Sequence, residues 1–138
     1  LESLLLQVWY PITVATTSRE CKKLIKDSLR RTMDFKNQEE MDGSLNFKLH
    51  DFGYRGVSSS ESAAIGGMAH LVSFRGTDTM PAISAASVYY GSTPAGFSVP
   101  ASEHSTITSW GREFETEAIE NMLDKYPTGP VACVTLTV

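Results

Sequence analysis

Apolar residues near the start of the chain recur at helical spacing. Leu4, Leu5, Val8, Ile12 and Ala15 fall three or four positions apart, and Cys21, Leu24, Ile25 and Leu29 continue the pattern. This predicts a helix over Leu1–Met33. Pro11 lacks an N–H and removes one helical hydrogen bond, so a kink or break is expected there. The polar run Asp34–Ser44, with Gly43, reads as a loop. From Leu45 to Phe52 the period changes to two, with Leu45, Phe47 and Leu49 facing one way and Asn46, Lys48 and His50 the other, which predicts a strand. Ser58-x-x-Glu61 has the form of a capping box ahead of an Ala- and Gly-rich helix, Glu61–Ala69. Gly66 and Gly67 lower helix propensity, but small residues there would let the helix lie close on a sheet.

The apolar run His70–Phe74 predicts a second strand. Arg75–Thr79 reads as a loop ending in helix-capping residues, and Pro81 is tolerated in the first turn of a helix that runs to about Tyr90. Gly91–Gly96 is turn-rich, and Phe97–Pro100 predicts a short third strand. Ile107, Trp110, Phe114, Ala118, Met122 and Tyr126, about four apart, predict an amphipathic helix over Thr108–Tyr126. Val131–Val138 reads as a fourth strand. Strands alternating with helices argue for an α/β fold built on a parallel sheet. Four strands would leave open edges unless further units follow, so the segment is expected to be incomplete on its own. No repeat, low-complexity tract or domain boundary stands out, and residues 1–138 read as a single segment.

The 138 residues are 41% hydrophobic and 20% charged, an ordinary globular balance. A net charge of −4 and scattered Lys and Arg provide no basic face for nucleic acid. The most basic stretch, Arg19–Arg31, is interrupted by Glu20 and Asp27 and reads as a solvated helix face. Cys21 and Cys133 have no metal-ligand spacing and form no disulfide framework, which fits a reducing cytoplasm. No run of about 18 apolar residues occurs, so no membrane span is implied. LLLQVWYPITVA is too short for one and lacks the basic flank of a leader. The chain opens on Leu1 within an apolar pattern, without Met, and is expected to be part of something longer.

In parallel α/β folds, ligands bind at the carboxyl ends of strands. Three expected strand ends carry polar or ionisable groups: Asp51–Gly56, Arg75–Asp78 and Ser102–Ser105. Phe52 could close a core or offer a flat face to a ring. Arg55 could be a surface ion pair or a bidentate fork for phosphate. Asp78 could cap a helix or accept from an amide NH₂. His104, beside Glu103, could be structural or could carry a proton or a phosphoryl group. Ser58–Ser60 could bind an anion at a helix N-terminus, although capping explains them. Neither GxxxxGK[ST], GxGxxG nor GxSxG occurs, so those nucleotide and hydrolase sites are not supported.

WYPITVAT, LHDFGYRGVSS, FRGTDT and VPASEHSTI, in that order and spacing, resemble the nicotinate/nicotinamide phosphoribosyltransferase family. The likeness lies with its type II enzymes, which join nicotinamide to phosphoribosyl pyrophosphate in NAD salvage, and runs from Leu1 to about Val134. It implies a partial (β/α) barrel-like segment of a longer cytoplasmic homodimer. Phe52 is then similar to the aromatic that stacks on nicotinamide, and Asp78 to the carboxylate that binds its carboxamide. Arg55 resembles a residue of the phosphate region. His104 resembles the histidine whose phosphorylation by ATP helps drive the reaction, so that His104 and Asp78 stand as catalytic. Mg²⁺ would accompany the pyrophosphate, with no metal ligand expected in this segment. The partner-subunit aromatic and the later ribose and phosphate ligands of the family have no counterpart here, and Thr135 onward departs from the pattern. The 138 residues alone are therefore expected to be inactive. Two other readings are a nicotinate-specific homologue, and a non-catalytic interaction or dominant-negative module.

Overall fold

The first helix does not break. In the computed structural model, which describes residues 1–134, α1 runs without interruption from Glu2 to Thr32, through Pro11. An internal proline costs about 3 kcal/mol. The rest of a 31-residue helix and its packing on a neighbour outweigh that loss. Tyr10 lies on Gly66, and at the far end Lys22 ties α1 down. Its Nζ donates to the Asn46 side-chain oxygen at 3.0 Å and the Ser73 carbonyl at 2.6 Å. The ammonium also sits 5.7 Å from the centre of the Phe74 ring. Burial pushes the Lys22 pKa down, opposed by Asp42.

The segment expected as a loop contains α2, Gln38–Leu45. Its signal is Asn37-x-x-Glu40. The Asn37 oxygen accepts the Glu40 N–H at 2.9 Å, and the Glu40 carboxylate accepts the Lys36 N–H at 2.7 Å. Met41 and Leu45 are buried. Leu45 therefore closes a helix instead of opening a strand, and Leu49 is exposed. The strand β1 shrinks to His50–Asp51, and Phe52 lies beyond it. A 3-10 turn over Gly53–Gly56 leads to α3, Ser60–Leu71. The cap of α3 is Ser59, one residue past the expected box, and its Oγ accepts from the Ser62 N–H at 3.0 Å.

α3 also takes in His70 and Leu71, so His70–Phe74 is not a strand. A short apolar run does not by itself separate buried helix from buried strand. Phe74 is wholly buried just past α3. The second strand, β2, is Gly76–Thr77. It pairs in parallel with β1, His50 opposite Gly76 and Asp51 opposite Thr77. The expected third strand is reduced to one parallel bridge from Phe97 to Gly76. α4, Met80–Tyr90, has Pro81 in its first turn, as expected. The small residues of α3 admit helices more than a sheet. A Cβ on Gly67 would stand 2.5 Å from the Ala82 Cβ and 3.1 Å from an Asp51 carboxylate oxygen. The result is a partial α/β segment with a two-stranded parallel sheet.

The chain divides into two compact units at Ser98/Val99. In the second, Ala101 and Ala132 form a parallel bridge, all that the described residues show of the expected fourth strand. The remainder of that expectation, and the departure from Thr135 onward, lie outside the described residues. Glu103 caps α5, His104–Trp110, by accepting the His104 N–H at 3.1 Å. The single helix expected over Thr108–Tyr126 is divided. Gly111, at φ 81° and ψ 159°, occupies backbone space open only to glycine. A 3-10 turn follows, then α6, Glu115–Lys125. Ile107 and Ala118 are buried, so the four-residue apolar spacing spans two helices. Among the described residues no helix is long and apolar enough to cross a membrane.

Candidate functional site

The parallel register of β1 and β2 brings two chain turns to one end of the sheet. The turn after β1 is held by Asp51, whose side chain accepts the Gly53 N–H at 2.8 Å and whose carbonyl accepts the Asp78 N–H at 2.9 Å. The second bond joins the two turns directly. Tyr54 meets the Ser60 hydroxyl at 2.9 Å and fastens the 3-10 turn to α3.

Phe52 is 45% exposed, unusual for an aromatic ring at a strand end. One side of it is covered by His50, ring centres 4.3 Å apart and planes tilted by 31°. The His50 side chain is only 9% exposed, and its Nε2 lies 3.3 Å from the Asp78 carboxylate. Neither His50 nitrogen makes a well-formed hydrogen bond. The distance is that of an ion pair, with the angle off line. The other Asp78 oxygen accepts from the Ser98 hydroxyl. A Cβ on Gly76 would stand 2.7 Å from the His50 Nδ1, so only glycine lets the imidazole pack this close to β2.

A cleft of about 420 Å³ opens beside this group, with His50, Phe52, Gly67 and His70 among its walls. Asp78 and Arg55 are not in its lining. His70 stacks on Phe74 at 5.4 Å and its Nε2 meets the Gly76 carbonyl at 3.1 Å. Burial pushes the His70 pKa down, partly offset by that carbonyl.

Phe52 and Asp78 thus come together in the first unit, with His50 between them. Arg55 is exposed on the 3-10 turn that follows Phe52. His104 belongs to the second unit, as the first residue of α5. Its side chain is 57% exposed and its Nδ1 lies 3.6 Å from the Glu103 carboxylate. The sequence reading missed His50 and Ser98. His50 carried one signal, a polar residue on a strand immediately ahead of the Phe52 turn. Ser98 carried none, since only the bridge at Phe97 brings it to Asp78.

The sequence model of the nicotinate phosphoribosyltransferase family matches residues 47–133, which include both turns and His104. This chain belongs to that family. Curated relatives agree. A protein named nicotinamide phosphoribosyltransferase from Xanthomonas campestris pv. campestris is 57% identical over 126 residues, covering 91% of this chain and 26% of that one. Proteins of the same name from Acinetobacter baylyi and Mycoplasma genitalium are 35% identical over 133 residues and 31% over 126. The chain spans about a quarter of the length of these relatives. Within the family segment, the Phe52 ring, the Asp78 carboxylate and the His50 imidazole lie together at one end of the sheet.

Proposed function

We propose that the protein to which this segment belongs transfers a phosphoribosyl group from phosphoribosyl pyrophosphate to nicotinamide, yielding nicotinamide mononucleotide and pyrophosphate. The observation that carries this reading is the convergence of Phe52 and Asp78 at one end of the β1–β2 pair. Phe52 offers the ring face, worth about 0.5–1.5 kcal/mol beyond area burial. Asp78, an acceptor on both oxygens, takes the carboxamide NH₂. Displacement of pyrophosphate through an oxocarbenium-like state asks for positioned partners and charge stabilisation more than for strong acids or bases. Arg55 supplies a fork for departing phosphate.

His104, exposed at the first turn of α5, is the acceptor of a phosphoryl group from ATP, the activating co-substrate. Among the described residues no group of three or more His, Cys, Asp or Glu converges on a metal. The Mg²⁺ of this proposal arrives on the pyrophosphate, held mostly by phosphate oxygens and water. The active form is a cytoplasmic homodimer, the partner supplying the second aromatic face.

The nicotinate alternative is disfavoured by Asp78, which would place like charges together. The test is product formation by the whole protein from phosphoribosyl pyrophosphate with nicotinamide and nicotinate in competition. Preferential formation of nicotinamide mononucleotide is expected. Preference for nicotinate, or no product, would overturn the proposal. The 138-residue chain by itself should form none. Turnover by the isolated chain would show that it holds a complete site, and inactive co-purification with whole subunits would favour the interaction-module reading.

A further inference from the structure

His50 is a buried polar side chain of the site to which no role has been given. Its imidazole is more than nine-tenths buried, yet both nitrogens lack a well-formed hydrogen bond. Leaving such a group unsatisfied is costly. An apolar ring of similar size would avoid the cost, so the position of this one is informative. One edge, at Nδ1, lies against the Gly76 backbone, with no room for a Cβ between them. The opposite edge, at Nε2, points toward Asp78. One face covers Phe52. The ring therefore touches both groups proposed to read nicotinamide.

We propose that His50 is a positioning residue that orients the Asp78 carboxylate and the Phe52 ring together for carboxamide recognition. This deepens the proposed function and rests on it. With the proton on Nε2, the imidazole donates toward one Asp78 oxygen while Ser98 donates to the other. Bringing the 3.3 Å approach of Nε2 into line gives the carboxylate two donors, which stop it from turning about its terminal bond. Each oxygen keeps a lone pair for an incoming amide N–H. The carboxylate is held as an acceptor, the form that welcomes a carboxamide and repels a carboxylate.

Three variants of the whole protein test this. His50→Phe keeps a flat ring on Phe52 but removes the donor. His50→Gln places an amide N–H near the Nε2 position, and His50→Asn ends short of it. His50→Phe should raise KM for nicotinamide about tenfold with kcat changed much less, a loss of orienting contact equal to ~1.4 kcal/mol. The preference for nicotinamide over nicotinate should narrow by a similar factor. His50→Gln should recover most of both, and His50→Asn should not. Should His50→Phe fail to fold, the Gln–Asn difference carries the same information. Equal defects in Gln and Asn, or an unchanged preference in all variants, would overturn the positioning role while leaving the proposed activity standing. A wild-type protein that makes no nicotinamide mononucleotide would instead overturn both.

Discussion

Two histidines mark two ways of building a site on one chain. His50 is buried between Phe52, Gly76 and Asp78, each neighbour set by the register of β1 against β2. His104 stands largely in solvent at the first turn of α5, beside the carboxylate that caps its helix. A group that orients others must itself be immobilised, and burial against rigid backbone does that. A group that takes a phosphoryl from an incoming nucleotide must remain accessible. The difference matches the roles proposed for the two sites, and it predicts unequal responses to mutation.

The largest effect should come from the packing beneath the buried site. Gly67→Ala would drive a Cβ into Ala82 and crowd Asp51. It should cost about 1–3 kcal/mol in chemical denaturation of the whole protein, as overpacked cores do. Its neighbour offers a control. The atoms nearest a Cβ on Gly66 belong to the phenol end of Tyr10, which can swing aside, and the helix gains about 0.5–1 kcal/mol of propensity. Gly66→Ala should be near neutral. Equal losses at both positions would show that the tight contact with Ala82 is not the cause.

A smaller contrast separates the histidines themselves. His104→Ala should change stability by less than about 0.5 kcal/mol, as exposed substitutions usually do. His50→Ala should cost more, about 1–2 kcal/mol, through lost packing against Phe52. A large loss at His104 would break the comparison, since it would mean that this residue too is structural.

The smallest effect is a pH dependence. His70 has its folded pKa lowered by burial, so below about 6.5 the unfolded chain binds the proton more readily. Its contribution to stability is therefore full above that pH and falls as pH drops through the unfolded value toward the lowered folded one. His70→Gln, which can still donate to the Gly76 carbonyl, should flatten this part of the stability–pH curve. An unchanged slope would mean that other groups carry it.

Much of this was legible along the chain, for reasons that differ by residue. Met80–Tyr90 was readable because Pro81 and Gly91 mark its ends with strong local chemistry. Phe52, Asp78 and His104 were readable as chemistry-bearing groups between expected elements. The Leu45–Phe52 strand misled because Leu45, Phe47 and Leu49 satisfy a two-residue period, while the Asn37–Glu40 cap had already committed Leu45 to a helix. Thr108–Tyr126 misled because a four-residue spacing survives a break when Gly111 turns the chain between two helices.

By itself, then, the sequence determined the long first helix, the helix ends with strong caps, and the residue types offered at each turn. These depend on interactions within a few residues, and such interactions are written in local order. Only the tertiary structure decided which of those groups meet. That Asp78 lies beside His50, and Ser98 beside Asp78, follows from strand register and from glycines that let backbones close to contact. Both are properties of packing between segments 20 or more residues apart, where no local pattern records the partner.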